Sequence, residues 1–547
     1  MKDLKTFIGK AILKAQKDKK LPIFDIPEII IETPQNREFG DYSTSIAMRI
    51  AKITKINPHK VAGILVDYLR GDFDVEPLPP GFINFRIEKD ELFDNLKEIL
   101  KKKSKYGSKK DKRTMVIDYS APNIAKPFGI GHLRSTIIGQ AIYNIYAFLG
   151  WKCIGDNHLG DWGTQFGKLI VAVKKWNDKD INELSIEDLE KLYVKFHSEA
   201  EMDKSLVEDA RQWFKKLEAK DEEATNIWKA CINISIKEFD KVYKLLGVKI
   251  DETLGESFYE DKMQEVIEDA KDLAKESQGA QVIDVDGIDI PLMLLKSDGA
   301  TTYETRDLAT IKHRNKTWNP DLIIYEVGAD QILHFRKIFK VAEMLGYKGD
   351  TQYKHIAHGL IRWKDRKFST RKGDTIKLKD VLDEAINRAK EISDDDAIAE
   401  MIGIGAVKYN DLSRQPERDI VFDLDQMVTL TGNSGPYIQY TGVRCKSILK
   451  KNNKLKVKKQ ELNAEEEMLL RDLSRFPEIV QLAADKFSPN VVCNYVFELC
   501  QNFNTFYEKH SILTGDKIEI RLAITKGVEQ IINNSLTLMG IGIPEQM

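Results

Sequence analysis

The sequence predicts a multidomain protein, part α/β and part all-α, and three observations lead there. Its 547 residues exceed what one hydrophobic core organises, so roughly two to four domains are expected. Between Thr114 and Asp161 an apolar strand, a glycine-rich turn, an amphipathic helix and a second strand follow one another, which is a βαβ unit of a parallel sheet. From about Asp380 onward the pattern is almost wholly helical, as in a bundle.

The elements follow in order. In the first block, "IPEIIIETP" and "GFINFRI" read as strands and "STSIAMRIAKI" and "HKVAGILVDYL" as helices. The basic run Lys101 to Arg113 then reads as a linker, either a solvated connector or a strap that attracts phosphate. "TMVIDYS" is a strand. The helix after the glycine turn puts Leu133, Ile137, Ala141, Ile145 and Leu149 on one face, with Gly150 as its stop. "KCIGDNHLGD" is the next strand and loop. Residues 174–274 are charged amphipathic helix and look inserted. "AQVIDVDGIDIPLMLLKSDGATTYET" returns to strands. "DLIIYEVG", the helix "DQILHFRKIFKVAEMLGY" and the strand "QYKHIAHGLIRW" complete the second half of the parallel sheet. "MLLRDLSRFPEIVQLAADKF", "VVCNYVFELCQNFNTFYEKH" and "IRLAITKGVEQIINNSLTLMG" read as long bundle helices.

Composition narrows the class. Hydrophobic residues at 42% and charged residues at 31% are those of a soluble globular protein. No apolar run reaches the ~18 residues of a membrane span. The N-terminal helix mixes Lys and Asp and lacks the features of a signal or transit peptide, so a cytoplasmic location is expected. A net charge of -2 is neutral on a nucleic-acid partner, since a local basic face suffices. The five cysteines form no C-x-x-C pair, so buried reduced thiols are expected, without zinc or a disulfide.

Two stretches carry chemistry. "KPFGIGHLRST" stands between strand and helix, but Arg134 occupies the third glycine position of a dinucleotide fingerprint. It is either a phosphate cradle at a helix N-terminus, with His132 and Lys126 adding donors, or a tight structural turn. "KFSTRKGDTIKL" sets Lys367, Arg371 and Lys372 around Ser369 and Thr370. It is either a solvated loop or a basic loop suited to the charge on a transferring phosphoryl group.

Taken together, these stretches resemble the signature sequences of the class I aminoacyl-tRNA synthetases, and within that class the arginyl-tRNA synthetase family. The likeness runs through "SAPNIAKPFGIGHLRSTIIG", "DNHLGDWGTQFGKL", "GESFYED", "TTYETRDL", "VGADQILHF", "GNSGPYIQY" and "LMGIGIPEQM". It implies three parts: an additional N-terminal domain over 1–108 that meets the tRNA elbow, a Rossmann-like catalytic domain over 109–400 containing the insertion, and a helical anticodon-binding domain over 401–547.

The resemblance also implies site residues. His132, Lys126, Lys367 and Arg371 would act on the phosphates. Phe128, Gly129, Gly131, His132, His358, Gly359, Ser369 and Thr370 would hold ATP. Ser120, Asn123, Glu256, Tyr303, Asp307, Gln331 and His334 would hold arginine. The chemistry fits, because a guanidinium needs carboxylates, which Glu256 and Asp307 supply, while Tyr303 packs on the stem. Phe82 and Asn84 would meet the tRNA elbow, and Tyr437, Tyr440, Arg444, Tyr507 and Met547 the anticodon loop, where stacking aromatics suit splayed bases. The expected partners are ATP with Mg²⁺, L-arginine and tRNA(Arg), on a monomer with no membrane attachment and no protein-bound metal.

Two positions depart from the family pattern. Gly129 replaces the first signature His, and Thr370 replaces the second Lys of the basic loop, with Lys126 placed to compensate. Three rival readings are a non-catalytic tRNA-binding paralogue, a nucleotide-dependent oxidoreductase, and a synthetase for another amino acid. The pocket acids, the basic loop and the missing third glycine weigh against them.

Overall fold

The computed structural model describes residues 4–34, 36–71, 73–363 and 377–547. It divides into two compact units. One comprises Met1–Tyr106, Ile448–Phe476 and Gln501–Gln530, the other Gly107–Ser447, Pro477–Cys500 and Ile531–Met547.

The first unit begins with helix α1 (Leu4–Lys17), whose buried face is Leu4, Ile8, Ala11, Ile12 and Ala15, the spacing of an amphipathic helix. Strand β1 (Tyr42–Thr44) and helices α2 (Ile46–Thr54) and α3 (Pro58–Leu69) follow. Helix α3 starts where Asn57 Oδ1 accepts the amides of His59 and Lys60 and Pro58 fills the first position. Strands β2 (Asp74–Leu78) and β3 (Phe82–Arg86) complete an antiparallel sheet of order β1-β3-β2, and α4 (Lys89–Lys102) follows. "IPEIIIETP" is not the strand its apolar run suggests. Only Glu32 bridges, exchanging backbone hydrogen bonds with Ser43. Pro27 and Pro34 lack N–H donors, so the segment cannot sustain a ladder.

The second unit holds the parallel sheet. Strand β4 (Thr114–Asp118), helix α5 (Gly131–Phe148) and strand β5 (Lys152–Asp156) form the expected βαβ unit. Helices α6 (Gln165–Trp176), α7 (Ile186–Met202), α8 (Ser205–Glu218), α9 (Glu222–Leu246) and α10 (Met263–Asp269) come next. Strands β6 (Lys275–Ser277), β7 (Ala280–Val285) and β8 (Ile288–Leu295) form a separate antiparallel sheet instead of joining the parallel one. The reason is the Asp286-Gly287 turn, with Gly287 at φ +70°, which folds the chain back as a hairpin. Helix α11 (Tyr303–Trp318), strand β9 (Leu322–Gly328), helix α12 (Ile332–Met344) and strand β10 (Gln352–His358) then give the sheet order β10-β9-β4-β5, all parallel.

Met115, Val116, Ile117, Ile323 and Ile324 are wholly buried, as expected of parallel strands covered on both faces. Each such side chain contributes about 1.5–3 kcal/mol on burial. The chain leaves β4 toward β5 on one side, while β9 lies on the other. That reversal opens a crevice beyond the C-terminal ends of β4 and β9, the usual ligand position in such sheets.

Strand β11 (Ile361–Trp363) precedes helices α13 (Leu378–Ala389) and α14 (Asp396–Leu412). Strand β12 (Ile420–Phe422) pairs with β11. Helices α15 (Leu424–Met427), α16 (Gly435–Lys451), α17 (Ala464–Ser474), α18 (Phe476–Asp485), α19 (Asn490–Lys509) and α20 (Ile518–Leu538) complete the chain. The single helix suggested by "MLLRDLSRFPEIVQLAADKF" is two, α17 and α18, because Pro477 has no amide to continue the ladder. Gln439 and the buried Lys408 hold the C-terminal segment, donating to the carbonyls of Gly542 (2.8 Å) and Gly540 (2.6 Å).

Candidate active site

The glycine-rich turn is built on strained backbone. Ser120, Ala121 and Ala125 all have positive φ, at +76°, +43° and +61°, a region non-glycine residues rarely enter. Side chains hold each amide in place. Ser120 N–H donates to Ser135 Oγ (2.9 Å), Ala121 N–H to Asn157 Oδ1 (3.0 Å) and Ala125 N–H to Ser235 Oγ (2.9 Å). Ser120 itself is buried, its Oγ bonded to Thr136 and to Tyr243 of α9. Asn123 is exposed and bridges Gly160, where an added Cβ would come within 2.4 Å of Asn123 Oδ1. Helix α5 comes close to the end of β4 because Gly139 has no Cβ, which would lie 2.4 Å from that of Tyr119.

Lys126 is exposed, its ammonium 5.5 Å from the ring centre of Tyr193. Phe128 is buried edge-on against His132, Phe239 and Tyr243. The amides of His132 and Leu133 are taken by the Gly129 and Ile130 carbonyls, so the turn offers fewer of its own donors than the glycines alone suggest. His132 keeps a partly exposed edge, but Nδ1 is fully buried without a partner among the described residues. Burial pushes this imidazole down to about 4, and the charges of Lys126 and His358 add to the effect against the Gly129 carbonyl. At neutral pH it is an uncharged ring.

The strand ends add a second group. On β9 Glu326 is buried, and its Oε1 lies 3.0 Å from His358 Nδ1 at the end of β10. Arg134 and Asp411, both 1% exposed, form an ion pair, and Arg134 Nη1 also donates to the carbonyls of Gly359 (2.8 Å) and Arg418 (2.7 Å). Gly359 packs against Arg418 backbone too closely for any side chain. Beyond β11, Lys367, Ser369, Thr370 and Arg371 lie outside the described residues. Where description resumes, Lys377 bridges Gly129 and Leu378 N–H donates to Phe128 O (2.9 Å). The far end of that segment is therefore stitched to the glycine turn.

The residues expected to hold arginine lie after β4, between α9 and α10, and on α11 and α12. Arg314, wholly buried, donates to Asp118 (2.7 Å) and Asp156 (2.9 Å), anchoring α11 to β4 and β5. Tyr303 is 60% exposed. Asp307, one turn later, meets His334 Nε2 at 2.6 Å, and the His334 ring lies 5.1 Å from that of Tyr303. Glu304 is paired internally with Lys337. Gln331 is half-buried and caps α12. Glu256 follows Gly255, which is pressed against Asp161. That carboxylate accepts both the amide (2.8 Å) and the hydroxyl (2.6 Å) of Ser257. Burial raises the Glu256 carboxyl, Arg306 opposes this, and the Asp307 charge adds to the rise. The Asp307 charge thus reaches Glu256, and carboxylates are what a guanidinium receptor requires. Arg306 bridges Glu256 (3.5 Å) and Glu260 (2.8 Å). Sequence reading did not single out Arg306, although it stands beside Asp307 in "TYETRD".

Elsewhere, Tyr437 packs edge-on to Phe497 (5.7 Å) and Arg444 lies over Tyr440 (4.9 Å), all but Phe497 on α16. Met547 packs on the cluster of Ala389, Ala399 and Ile402. In the other unit Tyr507 is 43% exposed and Phe82 half-buried. Asn84 is buried and its Oδ1 accepts the Ser43 hydroxyl (2.7 Å). Among the described residues no three His, Cys, Asp or Glu side chains form a metal cluster, and no helix is long and apolar enough to cross a membrane.

Residues 95–424 match the family described as tRNA synthetases class I (R), catalytic domain. Residues 438–547 match the DALR anticodon binding domain and 2–87 the arginyl tRNA synthetase N terminal domain. An arginine–tRNA ligase of Clostridium perfringens is 41% identical over 95% of this chain and 96% of its own. One of Clostridioides difficile is also 41% identical, over 95% and 96%. The crystal structure of an arginyl-tRNA synthetase from Plasmodium falciparum superposes with a TM-score of 0.84 at 26% identity, covering 100% of this chain and 98% of that one. The Thermus thermophilus arginyl-tRNA synthetase shares the fold, with a TM-score of 0.81 at 22% identity and full coverage of both chains. Three successive family matches and near-complete coverage by these relatives establish that the chain belongs to the arginyl-tRNA synthetase family.

Proposed function

We propose that the protein is an arginine–tRNA ligase that activates L-arginine with ATP and transfers it to the 3′-terminal adenosine of tRNA(Arg). The observation that carries this reading is the grouping of Asp307 with His334 (2.6 Å) and Tyr303 across α11 and α12, with Arg306 of the same helix pairing Glu256 (3.5 Å).

In the first step the arginine carboxylate attacks the α-phosphate in line. A bond forms from carboxylate oxygen to phosphorus, and the bond to the pyrophosphate oxygen breaks. No protein base is needed, because a carboxylate is already a nucleophile. Catalysis is positioning and charge stabilisation. Glu256 and Asp307 hold the guanidinium, Tyr303 lies along the stem, and Asn123 and Gln331 orient the amino-acid end. Lys126 and His132 face the phosphates, and the same reading assigns Lys367 and Arg371, outside the described residues, to the phosphates as well. Bound with ATP, Mg²⁺ would neutralise part of the phosphate charge. In the second step a ribose hydroxyl takes the arginyl group, and AMP leaves.

The same reading assigns Phe82 to the tRNA elbow and Tyr437, Tyr440, Arg444 and Tyr507 to the anticodon loop. Its domains are 1–108, 109–400 and 401–547, and it works as a cytoplasmic monomer. The test is a charging assay with each of the standard amino acids and a tRNA(Arg) transcript. Arginine alone should be esterified, and charging with another amino acid in its place would overturn the assignment.

A further inference from the structure

The glycine turn poses a charge problem. It faces a polyanion, yet position 129 has no side chain and His132 is held uncharged by burial. The turn's own cation, Lys126, is an exposed side chain, so a second cation, held in place by buried partners, has to come from another element.

The end of the sheet provides one. Glu326, on β9, is 1% exposed, and its Oε2 has no hydrogen-bond partner among the described residues. A lone buried carboxylate is costly unless a cation meets it. Arg134 is committed elsewhere, to Asp411 and to the Gly359 and Arg418 carbonyls. The remaining cation is His358, whose Nδ1 lies 3.0 Å from Glu326 Oε1. With His358 protonated the buried cluster is neutral, two positive groups against two negative. His358 Nε2 then remains as an outward N–H. It has no protein acceptor among the described residues and lies 3.8 Å from the place where a Cβ on Gly328 would be. Gly328 is the C-terminal residue of β9, at the mouth of the crevice. The His358 charge also reaches His132 and helps keep that ring neutral.

We infer that His358 is the resident cationic donor to the phosphate chain of bound ATP, and that buried Glu326 is the positioning residue that keeps it charged and aimed. This rests on the nucleotide site proposed above and names one of its working groups. No proton is transferred: as the phosphorus–oxygen bond to pyrophosphate breaks, negative charge grows on the leaving oxygens, and the Nε2–H hydrogen bond strengthens. The groups facing His358 pull in different directions. Burial opposes its charge. Glu326 favours it by both charge and hydrogen bond, Arg134 opposes it and Asp411 favours it, leaving the imidazole above its ordinary value. His355, on the same strand, and His132, on α5, are both pushed down. Asp330 Oδ1 lies 2.6 Å from the place where a Cβ on Gly328 would be, the same spot that His358 Nε2 approaches.

The experiment is kcat/KM for ATP and for arginine, by tRNA-dependent pyrophosphate exchange from pH 6 to 9.5. It compares wild type, Glu326→Gln and His358→Gln, with NMR titration of the labelled histidine rings in the wild-type chain. A charged donor to phosphate is worth roughly 10- to 150-fold, so His358→Gln should lower kcat/KM for ATP by at least about tenfold. The wild-type alkaline limb should shift to lower pH in Glu326→Gln, while a merely structural loss would lower the curve without moving it. The His358 ring should titrate above 6.5. A ring that titrates below 6.5 overturns the proposal whether or not the variants fold. An unmoved limb with full exchange overturns it too, and leaves the nucleotide site standing. Absence of any wild-type exchange would instead remove the nucleotide site on which the inference is built.

Discussion

At the scale of single residues, the proposed arginine pocket rests on carboxylates whose charge is managed by neighbours. Burial raises the Glu256 carboxyl, Arg306 opposes the rise, and the Asp307 charge adds to it. Replacing Glu256 by Gln keeps the shape and removes the charge. A charge-assisted bond is worth about 1.5–3 kcal/mol, so the arginine KM should rise roughly 10- to 150-fold. The ATP KM should stay within a factor of about two, and steady-state kinetics with each substrate varied would show this. His132 makes a second prediction. Its folded value is depressed to about 4 from an ordinary 6.5. At pH 5 the unfolded chain therefore binds a proton that the folded chain refuses, and stability falls as pH drops below 6.5. His132→Gln removes that penalty. Its apparent Tm relative to wild type should be higher at pH 5 than at pH 7.5, as thermal denaturation at the two pH values would register. Much of this layer was legible in the sequence, because Tyr303 and Asp307 sit one helical turn apart in one short stretch. Arg306, Asp161 and Glu326 were not. Their meaning lies in partners brought together by the fold, such as Asp161 with Ser257, 96 residues away.

At the scale of elements, α5 and its flanking strands follow directly from periodicity. The failures each have a local cause that outranked hydrophobicity. Pro27 and Pro34 stop a strand, and Pro477 splits a helix. What no pattern discloses is how α5, α14 and the end of β10 are pinned together. The buried Arg134–Asp411 pair joins α5 to α14, and the same guanidinium holds the Gly359 carbonyl. Removing one partner strands a buried charge at a cost of about 3–5 kcal/mol. Asp411→Ala should therefore lower the apparent Tm by several degrees and weaken ATP binding with it. Arg134→Met with Asp411→Leu, which removes both charges, should regain most of the lost Tm. Differential scanning fluorimetry with and without ATP distinguishes the single from the double variant.

At the scale of the whole molecule, three family matches follow one another along the chain, over residues 2–87, 95–424 and 438–547. The compact units do not follow those stretches. One unit takes the N-terminal residues together with Ile448–Phe476 and Gln501–Gln530. Helix α4 contributes Leu96 and α17 contributes Leu473 to the contact that faces Gly527 of α20. Composition along the chain cannot reveal such a union, since it depends on helices hundreds of residues apart packing together. Functionally, the account joins an acidic guanidinium pocket to a nucleotide turn that lacks one imidazole and has a cation nearby. The measurement that tests this most directly is ATP–pyrophosphate exchange with arginine, with and without tRNA(Arg). The account predicts exchange that depends on arginine when tRNA(Arg) is present. No exchange under either condition would contradict it.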